Sequence, residues 1–556
     1  MADKPSGLKL LGRAFRNRKL GVMLAFGFSS GLPYALLLGT LYAWLSEAEV
    51  DLETMGVFSL IGLTYAFKFL WSPLVDKVRL PLLDRLGRRR SWLVLAQAIV
   101  GGVLVVLSLL DPNGQLGWFS LLAGTAAFAA ATQDIAIDAW RVDNADETAT
   151  LDLLSTVYQF GYRIAALAGG ALALVLAARI SWPTTYLIFG LSMLAVMLIT
   201  FIAPDTPRPA EVEGPGELRQ AGAVAPPVRA TALAVVGALW GWALITVIVF
   251  MVRSLSSPPE LRPDPTEFIQ TYGLLIVIFT VIIPAIIAAI LEHWRKTGRH
   301  VLTGTVDDGG TAGRALDHGY TALILPLGEL AGRLRWASIL VLALILSYRI
   351  TDGIWAPFAY PFYLGELGYT NDEVAIASKF FGVGMTMLGI ALSAVFFAWI
   401  GRMATVVFGA ITAAATNLLY ADLAVGGPWL DVFGTHSGFY WLVGQFGADE
   451  RLARLMLAIS GENIAGGLAG AAFVAYLSSI TSKTYSAVQY ALLSSLTLLV
   501  GSLGRAALGE GIERMGYAPI FYVTAGIGLF AVLLSIAEWI RERRSTPPPG
   551  DAVMAE

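Results

Sequence analysis

The sequence predicts an all-α polytopic membrane protein with fourteen transmembrane helices. Hydrophobic residues make up 56% of its 556 positions and charged residues 14%, whereas a soluble domain contains about 45–50% and about 25%. The hydrophobic residues collect in runs long enough to cross a bilayer, which takes roughly 20 residues. No run alternates with a period of two, so the pattern excludes a transmembrane β-barrel.

The predicted spans are separated by charged or Gly- and Pro-rich breaks. They cover residues 20–45, 54–75, 91–110, 117–139, 152–178, 183–203, 232–252, 268–291, 337–364, 373–398, 403–421, 452–478, 485–508 and 517–540. The first span follows a basic tail, is longer than a signal-peptide core and lacks a small-residue cleavage pattern, so we interpret it as a retained helix.

The distribution of basic residues predicts the orientation. With both termini in the cytoplasm, 27 of the 38 Lys and Arg residues fall in cytoplasmic segments and 6 in external ones, as the positive-inside rule requires. The spans group as six, two and six. We therefore expect an N-terminal bundle (1–203), a linker (204–336) with two extra helices at about 232–252 and 268–291, a C-terminal bundle (337–541) and a disordered tail (542–556).

Composition excludes several classes of function. The chain has no cysteine, which excludes disulfides and thiolate-ligated metals. Its four histidines, His293, His300, His318 and His436, show no metal-ligand spacing. A net charge of −3 gives no basic footprint for nucleic acid. We expect no metal, no cofactor and no nucleic-acid partner; the bilayer and a small solute are the expected partners.

Ionisable residues inside the predicted spans are the candidates for function, because a charge in a membrane is costly. They are Lys68, Asp134, Asp138, Arg163, Arg349, Asp352, Lys379, Glu462 and Arg505. For any single residue, pairing between helices explains the charge as well as a functional role does; for the whole set, a polar pathway is favoured. Arg349 and Asp352, three residues apart, share a helical face as an ion pair or a proton-gated switch.

One predicted helix carries the densest pattern. Asp134, Asp138 and Arg141 recur at helical spacing on one face near its cytoplasmic end, beside Gln133. This spacing is typical of a coupling site, and equally of a charge network that serves only to gate that end of the helix.

A charged loop at 76–90 follows the second span. It begins at Asp76 and ends in an arginine cluster around Gly87 that includes Arg85, Arg88 and Arg89. These charges can pair across the seam between two bundles, so we expect the loop, together with Arg141, to gate the cytoplasmic side. A positive-inside anchor explains the same residues.

Two other segments remain ambiguous. Aromatic residues in the external loop 422–451, including Trp429, Phe433 and Trp441, suit an interfacial belt better than a sugar platform. The apolar segment 316–330 is too short to span, and either an interfacial segment or a plain loop fits it.

Several separate blocks carry a family resemblance. They are Gly27–Pro33, Lys68–Asp76 with Gly87–Arg90, Ala131–Ile135 with Asp138 and Arg141, Tyr348-Arg349 with Asp352, Glu462-Asn463 with Ala471–Leu477, and Ala487–Ser495. In these blocks the chain resembles the AmpG-type muropeptide permeases, and its six-plus-six plan resembles the major facilitator superfamily to which they belong. The middle helix pair and the external loop match none of the blocks.

The resemblance implies a monomeric inner-membrane transporter, not an enzyme. Its cargo would be N-acetylglucosaminyl-anhydro-N-acetylmuramic acid, with or without a stem peptide, imported with protons for peptidoglycan recycling. We expect substrate contacts from Gln133, Lys68, Tyr34, Arg163, Arg349, Lys379 and Gln489, and proton coupling from Asp134, Asp352, Asp138 and Glu462.

Other functions stay open at this point. Permeases for siderophores or for acetyl-CoA resemble the same pattern. A membrane-bound transferase would need a catalytic acid, base or metal cluster on one membrane face, and the sequence offers none.

Overall fold

Long apolar helices dominate the computed structural model, which describes residues 17–50, 58, 60–204, 217–257, 261–307, 310–503 and 505–545. Within those ranges, eleven helices are long and apolar enough to cross a membrane. They are Arg18–Glu47, Arg88–Leu107, Leu116–Asn144, Leu151–Arg179, Trp182–Ile202, Pro226–Ser254, Pro265–Thr297, Asn371–Trp399, Arg402–Ala424, Glu450–Ser479 and Tyr517–Arg544. The predicted all-α polytopic class is confirmed, and the helices Pro226–Ser254 and Pro265–Thr297 lie where the extra pair was predicted.

The predicted number of fourteen is not confirmed, because two predicted spans are interrupted and a third includes a residue outside the described ones. The span 54–75 contains Leu60–Ala66, a 3-10 turn at Lys68–Leu70 and Ser72–Lys77; the span 337–364 contains Ala337–Tyr348 and Ile350–Trp355 with short turns beyond. The span 485–508 contains Ser486–Leu503 and the start of Arg505–Met515, and residue 504 between them lies outside the described residues. Prolines lie at two of these interruptions, Pro73 in the first and Pro357 and Pro361 in the second. Proline removes a backbone donor, so a continuous helix is disfavoured there.

The linker contains more helix than the sequence predicted. Gly310–Leu323 and Leu325–Leu334 are both helical, where the sequence left 316–330 as an interfacial segment or a loop. The described chain has up to twelve spans if Leu325–Leu334 and Ala337–Tyr348 count together as one broken span.

The chain divides into two compact units. Trp336–Tyr476 belongs to one unit with the residues from Val500 onward, and Arg13–Arg335 belongs to the other with Leu477–Leu499. The connection between the helices Glu450–Ser479 and Ser486–Leu503 therefore packs with the first seven long helices. The last helix runs to Ser545, into the predicted tail, and the remainder of that tail lies outside the described residues.

Small residues allow the first helix to approach Leu151–Leu167 closely. A Cβ atom at Gly27 would lie 2.2 Å from the carbonyl oxygen of Tyr158, and one at Gly161 would lie 2.3 Å from that of Leu24. Glycines let helix backbones meet at this distance inside a membrane. The contact brings Ser30 on one helix beside Tyr158 on the other.

Candidate functional site

A buried lysine lies at the interruption of the second predicted span. Lys68 opens the 3-10 turn Lys68–Leu70 and is 7% exposed. Its Nζ atom lies 3.7 Å from Asp134 Oδ2 and 3.7 Å from Asp138 Oδ2. The two aspartates are one turn apart on the helix Leu116–Asn144, so their carboxylates share one face and one ammonium group serves both.

Arg141 continues this chain of charges along the same helix. Its Nη2 donates to Asp138 Oδ1 at 2.9 Å, and its Nε donates to Ser478 Oγ at 3.1 Å. The guanidinium lies between the rings of Tyr158 and Tyr490, with centroids at 4.9 and 4.8 Å, an arrangement that stabilises a buried cation.

The four ionisable groups Lys68, Asp134, Asp138 and Arg141 thus carry two positive and two negative charges; we call them the buried charge chain. Balanced pairing is what allows charges to remain inside a membrane protein.

Polar and aromatic groups surround Asp134 on its other side. Ser30 Oγ donates to Asp134 Oδ1 at 2.5 Å and lies 2.8 Å from the hydroxyl of Tyr158. Gln133 Nε2 donates to the carbonyl of Ser29 at 2.7 Å. The buried Oε1 atom of Gln133 has no hydrogen-bond partner in the described part of the chain, which leaves an acceptor beside the buried charge chain.

Tyr34, one of the predicted substrate contacts, is 43% exposed. Its ring centroid lies 5.3 Å from that of Tyr65 and 6.3 Å from that of Tyr162. Arg163, also predicted, follows Tyr162 on the helix Leu151–Leu167. The unit that contains residues 13–335 therefore carries six of the predicted substrate contacts and coupling groups: Tyr34, Lys68, Gln133, Asp134, Asp138 and Arg163.

A second network joins three of the predicted gating residues, Asp76, Arg88 and Arg89. Arg89 Nη2 donates to Asp76 Oδ1 at 2.6 Å, and Arg89 Nε and Arg88 Nη2 each donate to Asp143 Oδ2 at 2.9 Å. Arg89 has no exposed surface and Asp76 is 7% exposed. Arg85 lies outside this group, exposed on the turn Asp84–Leu86.

The same carboxylates cap the helix Ser486–Leu503. Asp76 Oδ2 accepts from the backbone N–H of Val488 at 3.0 Å, and Asp143 Oδ1 accepts from Ser486 Oγ at 2.7 Å. Arg89 also donates to Ser486 Oγ at 2.7 Å. Carboxylates at a helix N-terminus satisfy free N–H groups and oppose the positive end of the helix dipole. We call Asp76, Arg88, Arg89, Asp143 and Ser486 the capping network.

Sequence reasoning missed Asp143, Ser486, Ser30 and Tyr158. Two signals were available: Ser486 is a preferred capping residue ahead of an apolar run, and Asp143 is an acid at a helix C-terminus, where the dipole disfavours it unless a cation pairs with it.

The unit that contains Trp336–Tyr476 holds four further predicted residues, Arg349, Asp352, Lys379 and Glu462. Arg349 Nη1 donates to the carbonyl of Gly466 at 3.2 Å. Glu462 accepts from the hydroxyl of Tyr420. Lys379 Nζ lies 5.5 Å from the ring centroid of Tyr360. The side chain of Asp352 lies outside the described residues, so its predicted pairing with Arg349 stays a prediction.

Gln489 lies next to the linker. Its Nε2 donates to the carbonyl of Pro326 at 2.8 Å and to Glu329 Oε2 at 2.7 Å, and its Oε1 accepts from the backbone N–H of Ser482 at 2.8 Å. Its amide is therefore occupied by protein groups in this conformation.

Several known proteins similar to this chain are named as transporters. An anhydromuropeptide permease of Escherichia coli strain K12 is 28% identical over 529 residues, covering 94% of this chain and 80% of that protein. A Rickettsia conorii relative that bears the AmpG name is 26% identical over 524 residues, covering 94% of this chain and 97% of the relative. The family model described as acetyl-coenzyme A transporter 1 matches residues 20–116.

Solved structures support the fold. A proton:xylose symporter of the major facilitator superfamily matches with a TM-score of 0.52 and 12% identity, covering 95% of each chain. The human organic anion transporter MFSD10 matches with a TM-score of 0.51 and 12% identity, covering 93% of this chain and 99% of that one. The expected major facilitator fold, the resemblance to AmpG-type permeases and the expectation of a carrier rather than an enzyme are confirmed.

Proposed function

We propose that this AmpG-type permease of the major facilitator fold imports anhydromuropeptides across the bacterial inner membrane in symport with protons. The cargo is the N-acetylglucosaminyl-anhydro-N-acetylmuramic acid disaccharide, with or without a stem peptide. The observation that carries the proposal is the similarity to an anhydromuropeptide permease along 94% of the chain. The buried charge chain, which lies inside that region of similarity, supports it.

The unit that contains residues 13–335 offers groups that suit this cargo. The lactyl or peptide carboxylate of the cargo needs a cation, and Lys68 and Arg163 are the cations that we propose for it in this unit. The cargo's hydroxyl and acetamido groups need hydrogen-bond partners, and the acceptor on Gln133 is available. Sugar faces pack against aromatic rings, which Tyr34 supplies from a partly exposed position. Arg349, Lys379 and Gln489 are the proposed contacts from the C-terminal half of the sequence.

Coupling follows from the shared position of Lys68. If the substrate carboxylate draws the ammonium group away, Asp134 keeps only neutral partners, because Arg141 is bonded to Asp138. An unpaired buried carboxylate is costly and is neutralised by taking up a proton. Substrate binding and proton binding therefore favour each other. Asp352 and Glu462 are the corresponding proposed groups in the other half.

The capping network is the proposed gate. The positive-inside distribution supports a cytoplasmic position for this end of the protein and for both termini. While Asp76 and Asp143 cap the helix Ser486–Leu503, that end stays closed. Opening requires these charge-assisted bonds, about twice as strong as neutral ones, to break. We propose that a single chain carries out the whole cycle.

Uptake into proteoliposomes tests the function. We expect labelled disaccharide to accumulate when an inward proton gradient is imposed, and unlabelled disaccharide to compete. Accumulation that does not respond to the gradient would retain the cargo and remove the coupling. Folded protein that takes up no disaccharide with or without the gradient would refute the proposal.

Acetyl-CoA is a second candidate, favoured by the family model that matches residues 20–116. The same vesicles discriminate between the two. Labelled acetyl-CoA should neither accumulate nor inhibit disaccharide uptake if the cargo is a muropeptide, and it should accumulate alone if the N-terminal match indicates the substrate.

A further inference from the structure

The linker between the two sets of six helices is held together by a buried ion cluster. Arg219 donates twice to Asp317 Oδ2, at 2.9 Å from Nε and 2.7 Å from Nη2. Arg229 Nη1 donates to Asp317 Oδ1, and both of these residues are 2% exposed. The cluster fixes the helix Gly310–Leu323 against the extra helix that contains Arg229. Moving one of these charged groups away would leave another buried charge unpaired, which is costly. The cluster therefore favours a single arrangement of the two helices.

A second linker helix, Leu325–Leu334, packs closely on the other extra helix. A Cβ atom at Gly328 would lie 3.6 Å from Ala288 Cβ, and one at Gly332 would lie 3.5 Å from Glu292 Cγ. Glycines four residues apart present a smooth face to a neighbouring helix. The extra helices therefore form a support for Leu325–Leu334.

The helix Leu325–Leu334 forms hydrogen bonds with the segment that connects Glu450–Ser479 to Ser486–Leu503 and with the start of the second of these helices. Arg333 Nη2 donates to the carbonyl of Ile480 at 2.7 Å, and Gln489 Nε2 donates to Glu329 Oε2 at 2.7 Å. Glu329 and Arg333 also pair with each other at 2.9 Å, one helical turn apart. Each orients the other toward the connection.

The capping network binds the same segment, residues 480–489. Ser486 and Val488 bind Asp143 and Asp76, and Ile480 and Gln489, on either side of them, bind the linker. Residues 477–499 belong to the compact unit of residues 13–335 rather than to the unit of the sequence that flanks them.

We propose that Glu329 and Arg333 are positioning residues of a latch: the two extra helices hold the linker helix, and the linker helix holds residues 477–489 in the closed position of the gate. This rests on the proposed function, because the gate has a purpose only in transport. The latch sets how often the gate opens, and it gives the extra helix pair a role.

Alkylation of a single cysteine tests the latch without any substrate. The chain has no cysteine, so I480C provides the only reactive thiol, and Ile480 is 7% exposed. Its backbone carbonyl, which Arg333 binds, is unchanged by the substitution. We expect the Arg333→Ala and Glu329→Ala variants each to raise the alkylation rate about fivefold, the effect of losing one hydrogen bond of typical strength, since reaction with a buried group follows the population of the open form.

Arg299→Ala is the matched control, because Arg299 is an exposed arginine of the same linker. Its alkylation rate should equal that of the I480C parent. Equal rates in the control and in both latch variants would overturn the proposal. Rates raised in all three variants would overturn it too, because they would indicate general loosening.

Cross-linking links the latch to transport. Glu329 and the backbone N–H of Ser482 bind the same amide of Gln489, so E329C and S482C lie within reach of a short bifunctional reagent that attaches to each thiol through a reducible disulfide. We expect the cross-linked protein to lose uptake and to regain it on reduction. Uptake that continues at the same rate in the cross-linked protein would refute the latch. Absence of uptake by the unsubstituted chain would refute the muropeptide function instead, and alkylation would then decide on the latch.

Discussion

The ammonium nitrogen of Lys68 lies 3.7 Å from the carboxylate of Asp134, close enough for an ion pair but beyond hydrogen-bond length. Arg89 and Asp76, in contrast, meet at 2.6 Å. The first pair can separate without breaking a short directed bond, whereas separation of the second pair costs a charge-assisted hydrogen bond. The geometry therefore distinguishes a pair suited to exchanging partners from a pair suited to holding a conformation.

Neutralising Asp134 should uncouple transport from the proton gradient. We expect Asp134→Asn to lose accumulation above the external concentration while downhill exchange of labelled disaccharide persists, because the variant cannot take up a proton. Asp352→Asn should behave similarly. Asp307→Asn, on an exposed linker residue, is the control for the loss of one carboxylate. The coupling proposal is wrong if gradient-driven accumulation survives intact in both variants.

Removing Lys68 should destabilise the fold through charge imbalance. Lys68→Met leaves Asp134 and Asp138 with Arg141 as their only partner in the buried charge chain, and breaking a buried pair costs about 3 kcal/mol. The double variant Lys68→Met/Asp134→Asn restores the balance and should recover most of that free energy of unfolding. The measurement is thermal unfolding in detergent, with Lys296→Met, at an exposed pair, as the control.

A double variant no more stable than Lys68→Met would mean that packing, and not charge, determines the loss. Transport should stay absent in both variants, which separates the stability effect from the functional one.

Local patterns predicted what depends on neighbouring residues. The spacing of Asp134, Asp138 and Arg141 indicated a shared face, and the structure joins them through Lys68 and a 2.9 Å bond. The loop that begins at Asp76 indicated a gate, and Arg89 binds Asp76 across thirteen residues. A helical period and a basic cluster are sufficient for inferences of this kind.

Partners distant in sequence were not predictable. Asp143 meets Ser486 across 343 residues, and Gln489 was expected to bind substrate although its amide contacts Glu329. No local pattern encodes such contacts, since hydroxyl and amide groups accept many partners. Hydropathy likewise could not show that 54–75 is interrupted, because the apolar residues continue through the turn at Lys68–Leu70.

Asp143 provides a test of the gate with a residue that no motif indicated. Asp143→Ala removes the acceptor for Arg88, Arg89 and Ser486 and should populate the open gate. Fewer transporter molecules are then in the state that binds substrate from outside. The KM for uptake should therefore rise about tenfold, which corresponds to about 1.4 kcal/mol. Asp143→Asn retains an acceptor for Ser486, so its KM for uptake should lie between that of Asp143→Ala and that of the parent chain. An unchanged KM in Asp143→Ala would contradict the gating role.

The helix Pro428–His436 should loosen only in acid. Arg454 donates to Asp431 at 2.7 and 2.6 Å, and Tyr440 donates to it at 2.7 Å; the Arg454 bonds are the larger cause that holds the pKa of Asp431 below its usual value. A carboxyl with a depressed pKa stabilises the folded chain above its unfolded-state pKa, about 3.9, and the effect is lost as the pH falls through the folded value. A spin label on T435C should therefore be more mobile in Asp431→Asn than in the parent by a constant amount from about pH 5 to about pH 8, and the two should converge below about pH 4. The two mobilities converge because the Asp431 carboxyl of the parent becomes protonated. If the difference in mobility instead widened in acid, Asp431 would not be the group that holds this helix.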